Sequence, residues 1–434
     1  MNESGPRRLG FEPSLDGIRG FAVLLVVLWH YPTDILERSF SWLRAGHLGV
    51  DVFFVLSGFL ITALMLTEFG RDGRISFRGF YRRRAFRLLP ALTVFLLAHI
   101  VFALLTDIPG NPLSPGTDAR SEIASVLGAQ FFVLNWVNEF GDYNIALGLA
   151  HLWSLAVEEQ FYIVWPTITA LLLARRRRVT ALASIIAAAA VTYAGHNYVW
   201  SESSSIARWT TTIAVGSGVV AVLEAIRSKD REVWVVAFIA TAIGAVLLYR
   251  NGHYEGGIEV FRLYSGTPSR ADSLLVGAGL AYVWINGWIP RRCPTWVSLA
   301  AWAYLLWAVR YKTFAEPYFF EYGWTLIALS CALIVWGALG AEGTIYGRVL
   351  SFAPLRAVGK VAYGLYLWHA LVFIAVRHWW GDGSVLWKTT LALGITAAVT
   401  AASWFLVEKP LLAYKSGRPD RDRRDPAPVV TTPN

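Results

Sequence analysis

Charge is scarce in this chain. Only 16% of its 434 residues are Asp, Glu, Lys or Arg, where soluble chains run nearer a quarter, and that excludes an ordinary water-facing globule. Cysteine is scarcer still. Cys293 and Cys331, the two present, lie too far apart and in too apolar a setting for a disulfide framework or a metal site, so no metal is expected. No small-residue cleavage site follows the first apolar run after "MNESGPRRLGFEPS", so the expectation is that no signal peptide is removed. Nor does any segment repeat at the level of residues.

What fills the chain instead is apolar. Hydrophobic residues make up 55% of it, and many of the 20 Trp and 18 Tyr stand near the ends of apolar runs, as rings at a membrane interface do. A helix needs about 20 mostly apolar residues to cross the hydrocarbon core. Candidate spans fall near residues 17–32, 47–68, 88–106, 151–174, 179–195, 206–226, 233–249, 271–288, 295–311, 322–340, 361–378 and 386–407. The run 122–137 is short and reads as a re-entrant or interfacial piece. The expected fold is an all-α polytopic membrane protein with about 10–12 transmembrane helices.

The net charge of +9 resembles a nucleic-acid signal until its placement is considered. About two-thirds of the Lys and Arg sit in loops expected on one side, so the positive-inside rule accounts for the charge. No nucleic acid is expected as a partner, and both termini are expected in the cytoplasm. The chain divides into a cytoplasmic N-terminus 1–16, a membrane domain 17–412 and a polar, Pro-containing tail 413–434, expected to be disordered.

Several polar residues interrupt these spans. Arg19 and His30 are eleven residues apart in "LDGIRGFAVLLVVLWH", so they share one helix face about 16 Å apart along the axis. His30 reads as an interfacial histidine or as a working one, and Asp16 stands where an N-cap belongs. In "GVDVFFVLSGFLIT", Asp51, Gly58 and Thr62 share a face; Asp51 either caps a turn or serves the interior. Arg84 and Arg87, one turn apart in "FYRRRAFRLLPAL", suit membrane anchoring or a bidentate phosphate clamp. The strongest signal is "HLWSLAVEEQFYIVWP", where His151, Ser154, Glu158 and Tyr162 form a polar stripe and Glu159 lies on a neighbouring face. Arg270 and Asp272 open "RADSLLVGAGLA", either as an ion pair within the helix or as site residues. Tyr366 and His369, with Tyr363 a turn back, lie in "YGLYLWHA".

Taken in order, these motifs and the closing "VEKP" resemble the acyltransferase 3 family of integral membrane acyltransferases over roughly residues 14 to 412. The resemblance implies an O-acyltransferase that moves an acyl group, often acetyl, from cytoplasmic acyl-CoA to a hydroxyl of a sugar, glycolipid or cell-envelope glycan. Acyl-CoA is then the donor, with membrane lipids and a carbohydrate or glycolipid acceptor as partners and the inner (plasma) membrane as location. It further implies that Arg19 and His30 are the family's Arg-x10-His pair, Arg84 and Arg87 its Arg-x-x-Arg pair, and Glu158 the glutamate of its "WSL…E…QFY" signature. Some members append a soluble hydrolase-like domain. Only a short polar stretch follows "VEKP" here, so none is expected.

A neutral histidine suits the removal of a hydroxyl proton near pH 7, with Arg19 holding the donor's phosphate end. The competing reading is a proton-coupled secondary transporter, since such carriers also use intramembrane charge; the missing repeat counts against it. A scaffold or polymer-export subunit leaves the shared-face polar residues unexplained. Arg-heavy, Ala- and Val-rich usage points to a GC-rich bacterial genome.

Overall fold

The computed structural model describes residues 7, 9–35, 43–106, 118–140, 144–173, 231–255 and 260–415, and among them every regular element is helical. The runs at 179–195 and 206–226, and the tail beyond residue 415, lie outside the described residues. Helix α1 (Pro13–Ile35) begins three residues before Asp16 because Pro13, with its fixed φ, starts a helix well. Asp16 is therefore not its N-cap but a first-turn residue, paired with Arg19 at 3.0 Å. A 3-10 turn (Gly46–Leu48) leads into α2 (Gly49–Asp72).

Helix α3 (Phe77–Leu105) is capped by Ser76, whose Oγ accepts the Gly79 N–H at 3.3 Å. The basic stretch expected as a loop is thus its first turns. The 122–137 run becomes two short helices, α4 (Ala119–Gln130) and α5 (Leu134–Phe140), joined at Phe132, whose φ is 57°. Asp118 caps α4 by accepting the Ser121 N–H at 2.8 Å, and that bond holds its carboxyl below the usual range. A second 3-10 turn (Leu147–Leu152) precedes α6 (Trp153–Leu173). Then come α7 (Arg231–Glu255), α8 (Val260–Ser265), α9 (Thr267–Ile285) and α10 (Thr295–Tyr311). A π turn (Phe319–Gly323) runs into α11 (Trp324–Ala338), followed by α12 (Ile345–Leu350), α13 (Ala353–Lys360), α14 (Ala362–Trp380), α15 (Val385–Ala402), a second π turn (Ser403–Glu408) and α16 (Lys409–Lys415). Residues 413–415, expected in the tail, thus continue the last helix.

Six described helical stretches are long and apolar enough to cross a membrane, and seven if α13 and α14, bent by 74°, count as one span. That is fewer than the sequence-based expectation. Two expected spans fall outside the described residues, α10 has only 17 residues, and α6 and α9 carry the carboxylates and guanidinium of the candidate site. Exposed Leu97, Val101, Leu104, Leu386 and Leu406 on α3, α15 and the second π turn make an apolar outer surface, as lipid requires.

Glycines set the helix spacing around the site. A Cβ on Gly58 would stand 2.0 Å from the Leu274 carbonyl oxygen, and one on Gly277 2.0 Å from that of Val55, so α2 and α9 touch backbone to backbone. Gly359 of α13 meets the Asp16 carbonyl in the same way, with 1.8 Å left for a Cβ. That contact seats α13 against the turn of α1 that presents Arg19.

Candidate active site

A cavity of about 350 Å³ lies among α1, α2, α3, α6, α13 and α14. Its wall carries five cations, Arg19, Arg83, Arg84, Arg87 and Lys360, and three carboxylates, Glu68, Glu158 and Glu159. Phe53, Phe54, Leu60, Leu64 and Met65 of α2 make its apolar side. Cations at one end and an apolar channel beside them suit a ligand with phosphates and a long, weakly polar arm.

The two arginines of the Arg-x-x-Arg pair differ in what holds them. The Arg84 guanidinium donates to Glu159 Oε1 at 2.9 Å, stands 3.7 Å from Glu158 Oε1 and lies 3.3 Å over the Tyr162 ring. Arg87, more exposed, has no ion-pair partner among the described residues. Arg87→Ala should therefore raise the apparent donor KM about tenfold or more without moving the thermal midpoint, because charge-assisted contacts are worth about 1.5–3 kcal/mol each. Arg84→Ala should raise the KM and lower the midpoint together. Donor-saturation curves and melting of the same preparations check this, and an unaltered KM in both variants would leave the pair a membrane anchor.

Glu158 takes the Ser57 hydroxyl at 2.7 Å and that of Tyr162, and it bonds to no histidine among the described residues. The polar stripe is real from Ser154 to Tyr162, but His151 sits in the 3-10 turn before α6, so its ring points elsewhere. Glu158→Gln should cut kcat/KM for the donor about tenfold, the size of a lost bond to a charged group. Glu159→Gln should cost less activity, since Glu158 is placed to take over Arg84, and more thermal stability. Side-by-side kinetics and melting decide, and the reverse order of activity loss refutes the assignment.

The cavity ends at two hydroxyls. Ser154 Oγ and Tyr366 Oη are 2.7 Å apart, and Tyr366 Oη donates to the His151 carbonyl at 2.6 Å. Beyond them three imidazoles gather. His369 Nε2 is 3.3 Å from His30 Nδ1, and the His369 ring centroid lies 5.2 Å from that of His151. Neither nitrogen of His151 has a hydrogen-bond partner among the described residues. His30 does not line the cavity that Arg19 lines, although both are on α1, whereas Ser154 and Tyr366 do line it.

A buried charge cluster borders the same region. Arg270 and Asp272 do not pair with each other, because side chains two residues apart on a helix point to different faces. Arg270 reaches Asp51 of α2 at 2.7 Å, and Asp272 takes Arg250 of α7 at 3.0 Å. Asp51 also accepts from Ser273 Oγ at 3.0 Å. It is a fully buried partner rather than a cap. Arg250 is well satisfied, by Thr325 and by the carbonyls of Ser269 and Phe320. Arg270 stacks 3.6 Å over Trp324, yet its Nε and Nη1, like Asp51 Oδ2, have no partner among the described residues. Thr62 accepts the Trp165 indole N–H at 2.8 Å, which ties α2 to α6.

Comparison with known proteins decides the family. The profile described as an acyltransferase domain matches residues 12–408. The chain belongs to the acyltransferase 3 family. YrhL of Bacillus subtilis is 28% identical over 410 residues, which are 92% of this chain and 55% of that protein. The peptidoglycan O-acetyltransferase OatA of Listeria monocytogenes is 25% identical, covering 92% of this chain and 56% of its own length. The O-acetyltransferase OatA of Staphylococcus aureus is 26% identical, covering 92% and 57%. The chain thus spans little more than half the length of these relatives. No solved structure gives a significant match.

As a site for this acyltransferase family, the region includes residues that sequence reasoning missed. Arg250 falls one residue past the expected end of its span, where it reads as a loop cation. His47, buried with Trp29, Tyr264, Phe314, Phe319 and Trp324 around its ring, sits at the first residue of another span. The rule that an ionisable group inside a span calls for a partner applies to His47 and would have applied to Arg250 had that span been drawn one residue longer. Ser57, Arg83 and Lys360 carry no comparable signal and come together only through packing. Among the described residues no group of His, Cys, Asp and Glu is arranged to hold a metal.

Proposed function

We propose that this acyltransferase moves a short acyl group, acetyl foremost, from cytoplasmic acyl-CoA to a hydroxyl of a cell-envelope glycan or glycolipid, with His30 as general base. The observation that carries the reading is a cation-rich, apolar-walled cavity lined by the Ser154–Tyr366 hydroxyl pair, whose Tyr366 stands beside the clustered imidazoles of His151 and His369, with His30 next to His369. Phosphates would lie among Arg19, Arg83, Arg84, Arg87 and Lys360, and the flexible arm along the α2 face. The thioester would reach the Ser154–Tyr366 pair. His30 would receive the acceptor hydroxyl proton on the far side. The kinship to OatA proteins named as O-acetyltransferases supports acetyl as the group and an envelope carbohydrate as the acceptor. The one-sided placement of Lys and Arg supports cytoplasmic termini and a cytoplasmic donor side.

The test uses the purified chain in nanodiscs with acetyl-labelled acetyl-CoA and soluble glycan fragments. Acceptor-dependent release of free CoA, with label appearing in the glycan, is the expected result. Label that binds, or equilibrates across a liposome membrane, without cleavage of the thioester would instead fit a transporter.

A further inference from the structure

We propose that Arg83 recognises the 3′-phosphate on the donor's ribose, so that the site takes thioesters of coenzyme A and discriminates against the same acyl-bearing arm on a carrier without that phosphate. The inference rests on the reading of the cavity as the acyl-CoA site and deepens it to one phosphate.

Helices α2 and α6 give the cavity its long axis. Ser57 meets Glu158 and Thr62 meets Trp165, so the two helices run side by side in one direction. Glu68 is eleven residues past Ser57, about 16 Å along that axis. Ser154 lies the other way, one turn before Glu158. Glu68 and the Ser154–Tyr366 hydroxyls therefore stand at opposite ends of the cavity they all line. Coenzyme A has its groups in a matching order. The thioester is followed by the flexible arm, then by the diphosphate, and the 3′-phosphate lies beyond on the ribose. With the thioester at the hydroxyl pair, the 3′-phosphate falls at the Glu68 end.

Arg83 is the cation beside Glu68. Its Nη2 stands 3.9 Å from Glu68 Oε2, and its Nη1 lies back over the first turn of α3, where a Cβ on Gly79 would be 3.2 Å away. Glu68 is itself fixed by the Ser76 N–H, which donates to Oε1 at 3.0 Å. A separation of 3.9 Å is too long for a hydrogen bond, so Glu68 orients the guanidinium without occupying its donors. The other cations are engaged or placed elsewhere. Arg84 is bound to Glu159 and Arg19 to Asp16. Arg87 is one turn further along α3 from the Ser76 end, about 6 Å, where the diphosphate falls. Lys360 offers only a point charge. A phosphomonoester carries nearly two negative charges at pH 7 and presents oxygens that a planar guanidinium takes in pairs. The half-exposed side chain of Arg83 opens that fork to the solvent side.

The experiment titrates the purified full chain in nanodiscs with acetyl-CoA and with acetyl-3′-dephospho-CoA, and reads binding by calorimetry. The wild-type chain should bind the dephospho form about tenfold more weakly, the size of a lost charge-assisted contact. In Arg83→Ala the affinity for acetyl-CoA should fall by the same factor while that for the dephospho form stays, so the preference disappears. Retained binding of the dephospho form also shows that the variant is folded. Arg83→Lys should restore only part of the preference, since an ammonium lacks the two-pronged fork. Arg87→Ala and Lys360→Ala should weaken both forms alike and keep the preference. A wild-type chain without preference, a preference that survives in Arg83→Ala, or one that vanishes in Lys360→Ala instead overturns the proposal and leaves the acyl-CoA reading standing. A wild-type chain that binds neither form overturns both.

Discussion

Transfer should fall about 10²- to 10⁴-fold when His30 is replaced by alanine, the usual cost of removing a general base, while membrane insertion and donor binding survive. The different surroundings of His30 and Arg19 make this outcome specific. His30 does not line the cation-rich cavity, so its loss leaves the phosphate contacts in place. It lies on α1 about 16 Å along the axis from Arg19, whose own partner is Asp16. Arg19→Ala should show the converse pattern, a raised donor KM with the chemical step nearly intact at saturation. The measurement is labelled-CoA binding and acyl transfer on both variants in the same nanodiscs. Near-wild-type transfer by His30→Ala would remove the base assignment and return the residue to an interfacial role.

The fold class was legible because apolar length is a one-dimensional property. Runs such as 47–68 and 88–106 announce helices whatever they pack against, and α2 and α3 cover all but the first two residues of one and the last residue of the other. The helix ends were less legible. Residues 77–87 are basic enough to read as a loop, yet Ser76 caps them into α3, which places Arg83, Arg84 and Arg87 on a rigid element. At the site, periodicity correctly grouped Ser154, Glu158 and Tyr162, because all three are on one continuous helix. It mistook His151, since a 3-10 turn before that helix shifts the phase of every side chain in it.

Partners across helices were not legible at all. Spacing shows that Arg270 and Asp272 belong to one segment, but not that one reaches α2 and the other α7. Those pairings depend on how closely α2 and α9 approach, and so on Gly58 and Gly277. The glycines were visible in the sequence, while the carboxylate each arginine would meet was set by three-dimensional packing. The same holds for His30 and His369, which lie 339 residues apart and share a hydrogen bond.

The Asp51–Arg270 pair separates structure from function in a way that single substitutions cannot. Both side chains are almost wholly buried, and the guanidinium is stacked on Trp324. Asp51→Leu or Arg270→Met alone leaves one charge uncompensated in the interior and should destabilise the fold by about 3–5 kcal/mol. Replacing both together removes the two desolvation penalties along with the attraction, and such exchanges are often neutral or stabilising. The double variant should therefore recover most of the thermal midpoint. Transfer should not recover with it. Arg270 Nε and Nη1 and Asp51 Oδ2 are the unpartnered atoms of this cluster, whereas the neighbouring Arg250–Asp272 pair is enclosed by Thr325 and carbonyl oxygens. We propose that these unmet donors and the carboxylate oxygen serve the hydroxyl-rich acceptor. Melting curves, donor binding and transfer on the two single variants and the double one make the test. A double variant that regains both stability and transfer would show that the pair only holds α2 to α9. One that regains stability and donor binding alone assigns it to the acceptor.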